Sequence, residues 1–160
     1  MQKYQITYRE LNVFVYNDGG RGAAGFKGST GDCVVRAICI AAKKPYKEVY
    51  DELNHLCKVE RLGKRTKSKS NSRTGVYRKT YEKYILSLGA KWTPCMGIGT
   101  GCKVHLKSDE LPKGRIITSL SKHLCAVIDG VIHDLNDPSR DGTRCVYGYY
   151  QFHNIGENHE

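Results

Sequence analysis

Residues 28–42 read "GSTGDCVVRAICIAA". Glycines and small polar residues run directly into Cys33, and an apolar run broken only by Arg36 follows. Val34, Val35, Ala37, Ile38, Ile40 and Ala41 would cover most of a helical circumference, so the spacing predicts a central buried helix over 33–43. Lys44-Pro45 ends it. Cys33 therefore falls in the first turn of a buried helix. There the unpaired N–H groups and the helix dipole favour a thiolate. Its own backbone N–H would point toward an oxyanion forming beside the sulfur. The glycines ahead of it permit tight turns and close approach of a substrate. A structural thiol is the competing reading, and it is the one assigned to Cys39.

Outward from this helix, "NDGGRGAAGFKGSTGD" holds six glycines in residues 17–32 and must be loop. It lacks the G-x-x-x-x-G-K-[ST] order of a phosphate loop. Residues 4–16 carry alternating, β-branched and aromatic positions suited to a strand or an N-terminal arm. "PYKEVYDELNHL" is an amphipathic helix opened by proline, with Tyr46, Val49, Leu53 and Leu56 on one stripe. "KVERLGKRTKSKSNSR", residues 58–73, contains seven Lys or Arg and one acid, Glu60, and is expected to be a mobile basic loop. "GVYRKTYEKYILSLG" regains helical period and stops at Gly89. Its tyrosines 77, 81 and 84 are spaced for core packing more than for base stacking.

After Trp92 the character changes. "RIITSL", "HLCAVID", "VIHDL" and "CVYGYYQF" are β-rich, and Asp129-Gly130 between two apolar runs is a hairpin signal. A helical first half followed by an antiparallel sheet gives the α+β class. The 160 residues suit a single domain of 1–160.

The N-terminus has no basic head followed by an apolar segment, and no run approaches the roughly 18 apolar residues of a membrane span. A cytoplasmic protein without a membrane role is expected. Seven cysteines, an odd number without a secretory signal, argue against a disulfide framework. No pair is spaced C-x2-C. Cys95, Cys102 and His105 form the nearest metal-like grouping, but reduced thiols serving as small hydrophobes are the simpler reading. No metal or cofactor is expected. The net charge of +10 favours acidic partners: nucleic acid, an anionic surface or an acidic protein.

A nucleophilic thiol needs a base. The histidines are 55, 105, 123, 133, 153 and 159. His123 stands out because it opens a strand. With Asp129-Gly130 as a two-residue turn, Ile128 pairs with Val131, Cys125 falls opposite Asp134, and His123 falls opposite Asn136. His123 thus has an amide opposite it and a carboxylate diagonal to it. Asp137 joins these if the register slips.

A cysteine opening a buried helix, then a hairpin carrying histidine and an acid, resembles the papain-like cysteine peptidases. More narrowly, "GDCVVRAI" with "KHLCAVIDGVIHDLNDPSRDGTRCVYGYY" is similar to small C39-peptidase-like proteins of bacteriophages and prophages. The resemblance covers roughly residues 28–56 and 110–150. It implies a papain-like fold with a buried nucleophile helix packed on a C-terminal antiparallel sheet. It also implies a hydrolase of peptide or amide bonds working through a thioester, in host cytoplasm if phage-encoded. Carried over by position, Cys33 resembles the nucleophile, His123 the base and Asp134 the orienting acid, with Asn136 and Asp137 as alternatives. The implied partner is a peptide or protein substrate, an acidic one where the basic surface recruits it. The family's glutamine, six residues before the cysteine, is replaced here by Lys27. Lys27 would supply positive charge there, or Ser29, Thr30 or Asp32 would line the site instead. The alternative function is a non-catalytic, papain-like scaffold that binds nucleic acid or an acidic protein through its basic loop.

Overall fold

The computed structural model describes residues 14–153. Strand β1 is Phe14–Tyr16, and three helices follow: α1 Cys33–Ala42, α2 Tyr46–Lys58 and α3 Arg78–Ser87. The remaining strands are β2 Lys91–Pro94, β3 Arg115–Leu120, β4 His123–Ile128, β5 Val131–Asp134 and β6 Gly148–Phe152. They form one six-stranded sheet in the order β1-β5-β4-β3-β6-β2. The class is α+β. Five strands form antiparallel pairs: four lie in the expected segments, and β2 is an addition to them, while β1 pairs parallel with β5, so the sheet is mixed. A parallel neighbour requires a long crossover, and hydropathy alternation in β1 does not name its partner. The expected strand positions 4–13, and His159, lie outside the described residues.

Alternation along the strands divides the core into two layers. Ile117, Leu124, Ala126, Tyr150 and Phe152 face the helices and pack with α1, α2 and α3. Ile116, Leu120, Cys125, Val127 and Ile132 face the other way, beneath the coil that carries Leu106, Leu111 and Val146. Both sheet faces are therefore covered, which explains why β3 and β4 are almost continuously buried.

The α1 helix is the centre of the helical layer. Nine of its ten residues are buried. Its C-terminal carbonyls, left without helical partners, accept from Arg115 of β3: Nε to Ala41 at 2.8 Å, and Nη2 to Ile40. Asp129 and Gly130 both adopt positive φ, +49° and +80°, and set the two-residue hairpin between β4 and β5.

Two expectations change. Cys102 and Cys145 form a disulfide, their Cα atoms 5.7 Å apart, whereas only reduced thiols were expected. A β-bridge between His105 and Cys145 aligns the two segments and so brings together cysteines 43 residues apart in sequence. In the basic segment 58–73, Glu60 accepts from the Ser70 N–H, the Ser70 hydroxyl and the Thr80 hydroxyl. Ser72 is fully buried, bonding Asn54 and Tyr50 of α2. The exposed cations lie between these anchors. Among the described residues no helix is long and apolar enough to cross a membrane.

Candidate active site

Cys33 opens α1, and Asp32 stands at the position before it. An aspartate there ordinarily caps the first-turn N–H groups. Here it does not. Its carboxylate turns inward instead, accepting from Arg36 Nε at 2.9 Å and from the Tyr46 hydroxyl at 2.6 Å, with Arg21 Nε 3.6 Å away. The first-turn N–H groups are left without an aspartate cap beside the Cys33 sulfur.

His123 opens β4 at the turn that follows β3, where Leu120 pairs with His123. Its Nε2 lies 2.6 Å from Asp134 Oδ2. Nδ1 is the ring nitrogen left to face Cys33, which lines the same groove as His123. The Leu124 backbone N–H favours the ionised thiol. The hairpin register is the expected one through Ala126↔His133. Beyond that, β5 ends at Asp134, so the diagonal carboxylate rather than the amide opposite meets the imidazole. Asn136 is exposed, and Asp137 accepts from the Ser139 N–H at 2.9 Å. Of the three alternatives the structure brings Asp134 to His123.

Arg36 was not singled out as a functional residue from sequence. It is 7% exposed and joins the two carboxylates, donating through Nε to Asp32 and through Nη1 to Asp134 Oδ1 at 2.7 Å. The Leu135 N–H donates to the same Asp134 oxygen at 2.7 Å. An unbroken chain of partners runs Asp32–Arg36–Asp134–His123, and His123 shares its groove with Cys33. The Asp32–Arg36 spacing of four was a visible signal for the first link. Nothing in the sequence marked the Arg36–Asp134 link, which spans 98 residues.

The electrostatics follow from this chain. Burial pushes the Cys33 thiol up, but the His123 hydrogen bond, the Leu124 N–H and the charges of His123 and Arg36 outweigh it, and the pKa falls below its ordinary value. Burial pushes His123 down, yet the hydrogen bonds to Asp134 and Cys33 and their negative charges raise it to about 9. Asp134 is held low: burial opposes this, and His123, the Leu135 N–H and Arg36 overcome it. A depressed thiol beside a raised imidazole shifts the balance toward a thiolate–imidazolium pair.

The pair opens into a groove of about 560 Å³. One wall is formed by residues 74–78 and Tyr81, the other by Leu120, Lys122 and His123. The first wall is held against the loop before Cys33. Gly31 N and Thr30 Oγ1 both donate to Arg73 O, at 2.8 and 2.9 Å. Gly31 approaches so closely that a Cβ there would meet Thr74 O at 2.8 Å. Of the residues expected to supply charge or line the site, Lys27, Ser29 and Asp32 do not line the groove, and Asp32 is engaged with Arg36 and Tyr46. Thr30 lines the groove but its hydroxyl is committed to Arg73 O. The backbone N–H groups at the start of α1 are the remaining donors.

The other thiols differ. A depression of about 610 Å³ beside α2 and residues 69–71 holds Cys57, whose sulfur is paired with Ser70 and whose pKa burial pushes up. Burial also raises Cys95 and Cys125. Cys102 is committed to its disulfide, and His105 Nδ1 lies 3.3 Å from Glu110, so the grouping of Cys95, Cys102 and His105 is not assembled for a metal. His55 is exposed and His133 pairs with Asn17.

No family model, no curated protein and no solved structure matches this chain.

Proposed function

We propose that the protein is a papain-like cysteine hydrolase acting on peptide or amide bonds. The single observation that carries this is the contrast among the five free cysteines. Cys33 alone is held below its ordinary pKa, and it lines one groove with a histidine anchored by a carboxylate. The order Cys, His, Asp and the packing of α1 on the β4–β5 hairpin support the papain-like reading.

In this reading the Cys33 thiolate attacks the carbonyl carbon, and the oxyanion is met by N–H groups of the first turn of α1. The C–N bond breaks as His123 donates its proton to the leaving amine, leaving a thioester on Cys33. Water then attacks the thioester while His123 takes a proton from it. The C–S bond breaks, the acid product leaves, and the thiolate–imidazolium pair is restored. Asp134 keeps the ring oriented and Arg36 keeps Asp134 in place.

The test is alkylation of Cys33 by iodoacetamide across pH, beside Cys33→Ala and His123→Ala. Labelling faster than a free cysteine at pH 7, lost in His123→Ala, is the expected result. Labelling no faster than free cysteine overturns the reading. A second reading rests on the exposure of Arg61, Lys64, Arg65, Lys67 and Lys69: binding of nucleic acid or an acidic protein without catalysis. It requires affinity that falls steeply with salt.

A further inference from the structure

The groove above Cys33 carries cations and no acid. None of its lining residues is Asp or Glu. Arg36 at its base is neutralised by Asp32 and Asp134. Two other cations flank the nucleophile. Lys122 is next to His123 in the two-residue turn between β3 and β4, is exposed, and makes no ion pair among the described residues. It adopts φ +55°, a left-handed conformation that glycine or asparagine takes with less strain. Arg78, on the opposite wall, lies 5.3 Å over the Trp92 ring and 3.8 Å from Glu82, with 58% of its side chain exposed. The ring holds the guanidinium at the rim, and the long ion pair to Glu82 leaves donors free for a ligand. Tyr77 and Tyr81 supply apolar surface between the cations and the base of the groove.

Resting on the hydrolase reading above, we infer that this groove selects an acidic peptide segment, with Asp or Glu side chains meeting Lys122 and Arg78 on either side of the bond presented to Cys33. A cleft lined by one sign of charge focuses its field on an incoming ligand of the opposite sign. The chemistry at the base, a thiolate poised for a carbonyl carbon, favours a peptide over a nucleic acid as the anionic occupant.

The test needs no known substrate. Cys33 of the full-length protein is alkylated at pH 7 and low salt with iodoacetate and, separately, iodoacetamide, and the rates are followed by mass spectrometry of the Cys33 peptide. The iodoacetate-to-iodoacetamide ratio is expected to exceed that of glutathione by about fivefold and to collapse in 0.5 M salt. Lys122→Glu lowers the ratio severalfold, Arg78→Glu lowers it less, and the milder Lys122→Gln gives an intermediate value. Lys113→Glu, an exposed lysine before the far end of β3, leaves it unchanged. Among peptide vinyl sulfones differing only in one flanking residue, the Glu probe labels Cys33 faster than the Ala probe and the Lys probe slowest.

A ratio equal to that of glutathione, or one insensitive to Lys122→Glu and Arg78→Glu, overturns the inference while leaving the hydrolase reading intact. Protection of Cys33 by a single-stranded oligonucleotide but not by an acidic peptide also overturns it, in favour of nucleic acid. Slow labelling by iodoacetamide itself removes the activated nucleophile and takes both readings down.

Discussion

Cys33 and Cys39 lie six residues apart on one helix and carry the same thiol, one in the first turn and the other past its middle. One turn and a half separates opposite fates. Burial drives Cys39 up to about 12, aided by the negative charges of Asp32 and Glu48 and only partly opposed by a backbone hydrogen bond and Lys44. Cys33 feels burial too, but at the helix start it meets His123, the Leu124 N–H and the charge of Arg36, and its pKa falls. A thiol's reactivity is thus set less by the helix than by what the sheet presents to each end of it. His123 and Asp134 stand at the N-terminal end of α1, and the helix middle sees only packed side chains.

The largest break in this comparison comes from removing the reactive partners. Cys33→Ser and His123→Ala should each lower turnover of an amide or peptide substrate by at least about 10³-fold, since the intermediate needs both groups. Single-turnover assays check this, with circular dichroism confirming the fold. A Cys33→Ser variant that keeps its activity would equate the two cysteines.

Next in size is the buried arginine. Arg36→Met leaves the carboxylates of Asp32 and Asp134 facing each other without their shared cation. The expected loss is about 3–5 kcal/mol, a large part of the roughly 5–15 kcal/mol holding a domain together. Urea denaturation measures it. Arg36→Met combined with Asp134→Asn should recover part of the loss, because one of the stranded charges is removed. Additive losses would break the chain of partners described here.

Titration sharpens the contrast further. The working pair needs Cys33 ionised and His123 protonated. Activity should therefore rise through the depressed pKa of Cys33 and fall above pH 9, where His123 loses its proton. Asp134 raises the His123 pKa through its hydrogen bond and charge, so Asp134→Asn must move the alkaline limb to lower pH. A shift of one unit corresponds to about 1.4 kcal/mol. An alkaline limb that stays in place would show that Asp134 does not hold the imidazolium.

Much of this site could be read from the chain, and the reasons for the remainder are physical. The apolar density after Cys33 marked α1 to within a residue of its end. The Asp129-Gly130 turn set the pairing of Ile128 with Val131, and that register brought Asp134 near His123. The choice of Asp134 over Asn136 depended on where β5 leaves the sheet, which hydropathy does not encode. Arg36 was visible as the lone charge in an apolar run, but its second partner comes from across the fold. The Cys102–Cys145 bond and the parallel seat of β1 likewise depend on long-range placement. Ser70 and Ser72 looked solvated by composition, and are buried because Glu60, Asn54 and Tyr50 satisfy them.

A smaller effect tests how the groove wall is held against the nucleophile's end of the helix. Gly31 does not have a positive φ, so alanine there suffers contact rather than backbone strain. The added methyl would sit 2.8 Å from the Thr74 carbonyl oxygen, a backbone atom that cannot swing aside. Gly31→Ala should cost about 1–3 kcal/mol and slow Cys33 labelling as the 73–75 segment shifts. Unchanged labelling with unchanged stability would show that the wall yields freely.

The smallest effect belongs to the quieter cysteine. Cys39 is 5% exposed and packs as a small hydrophobe among Ile38, Ile40 and their neighbours in the helical layer. Cys39→Ala removes one sulfur and leaves a cavity too small for water, at a cost of about 1 kcal/mol. For a chain of this size that lowers Tm by roughly 2–4 °C. Turnover at 25 °C and the Cys33 labelling rate should stay within twofold of the native protein, because neither the His123 bond nor the Leu124 N–H touches position 39. If Cys39→Ala instead slowed labelling at Cys33 tenfold, the helix would be transmitting a packing change along one and a half turns. The independence of the two thiols would then be false even with every contact at the N-terminus intact.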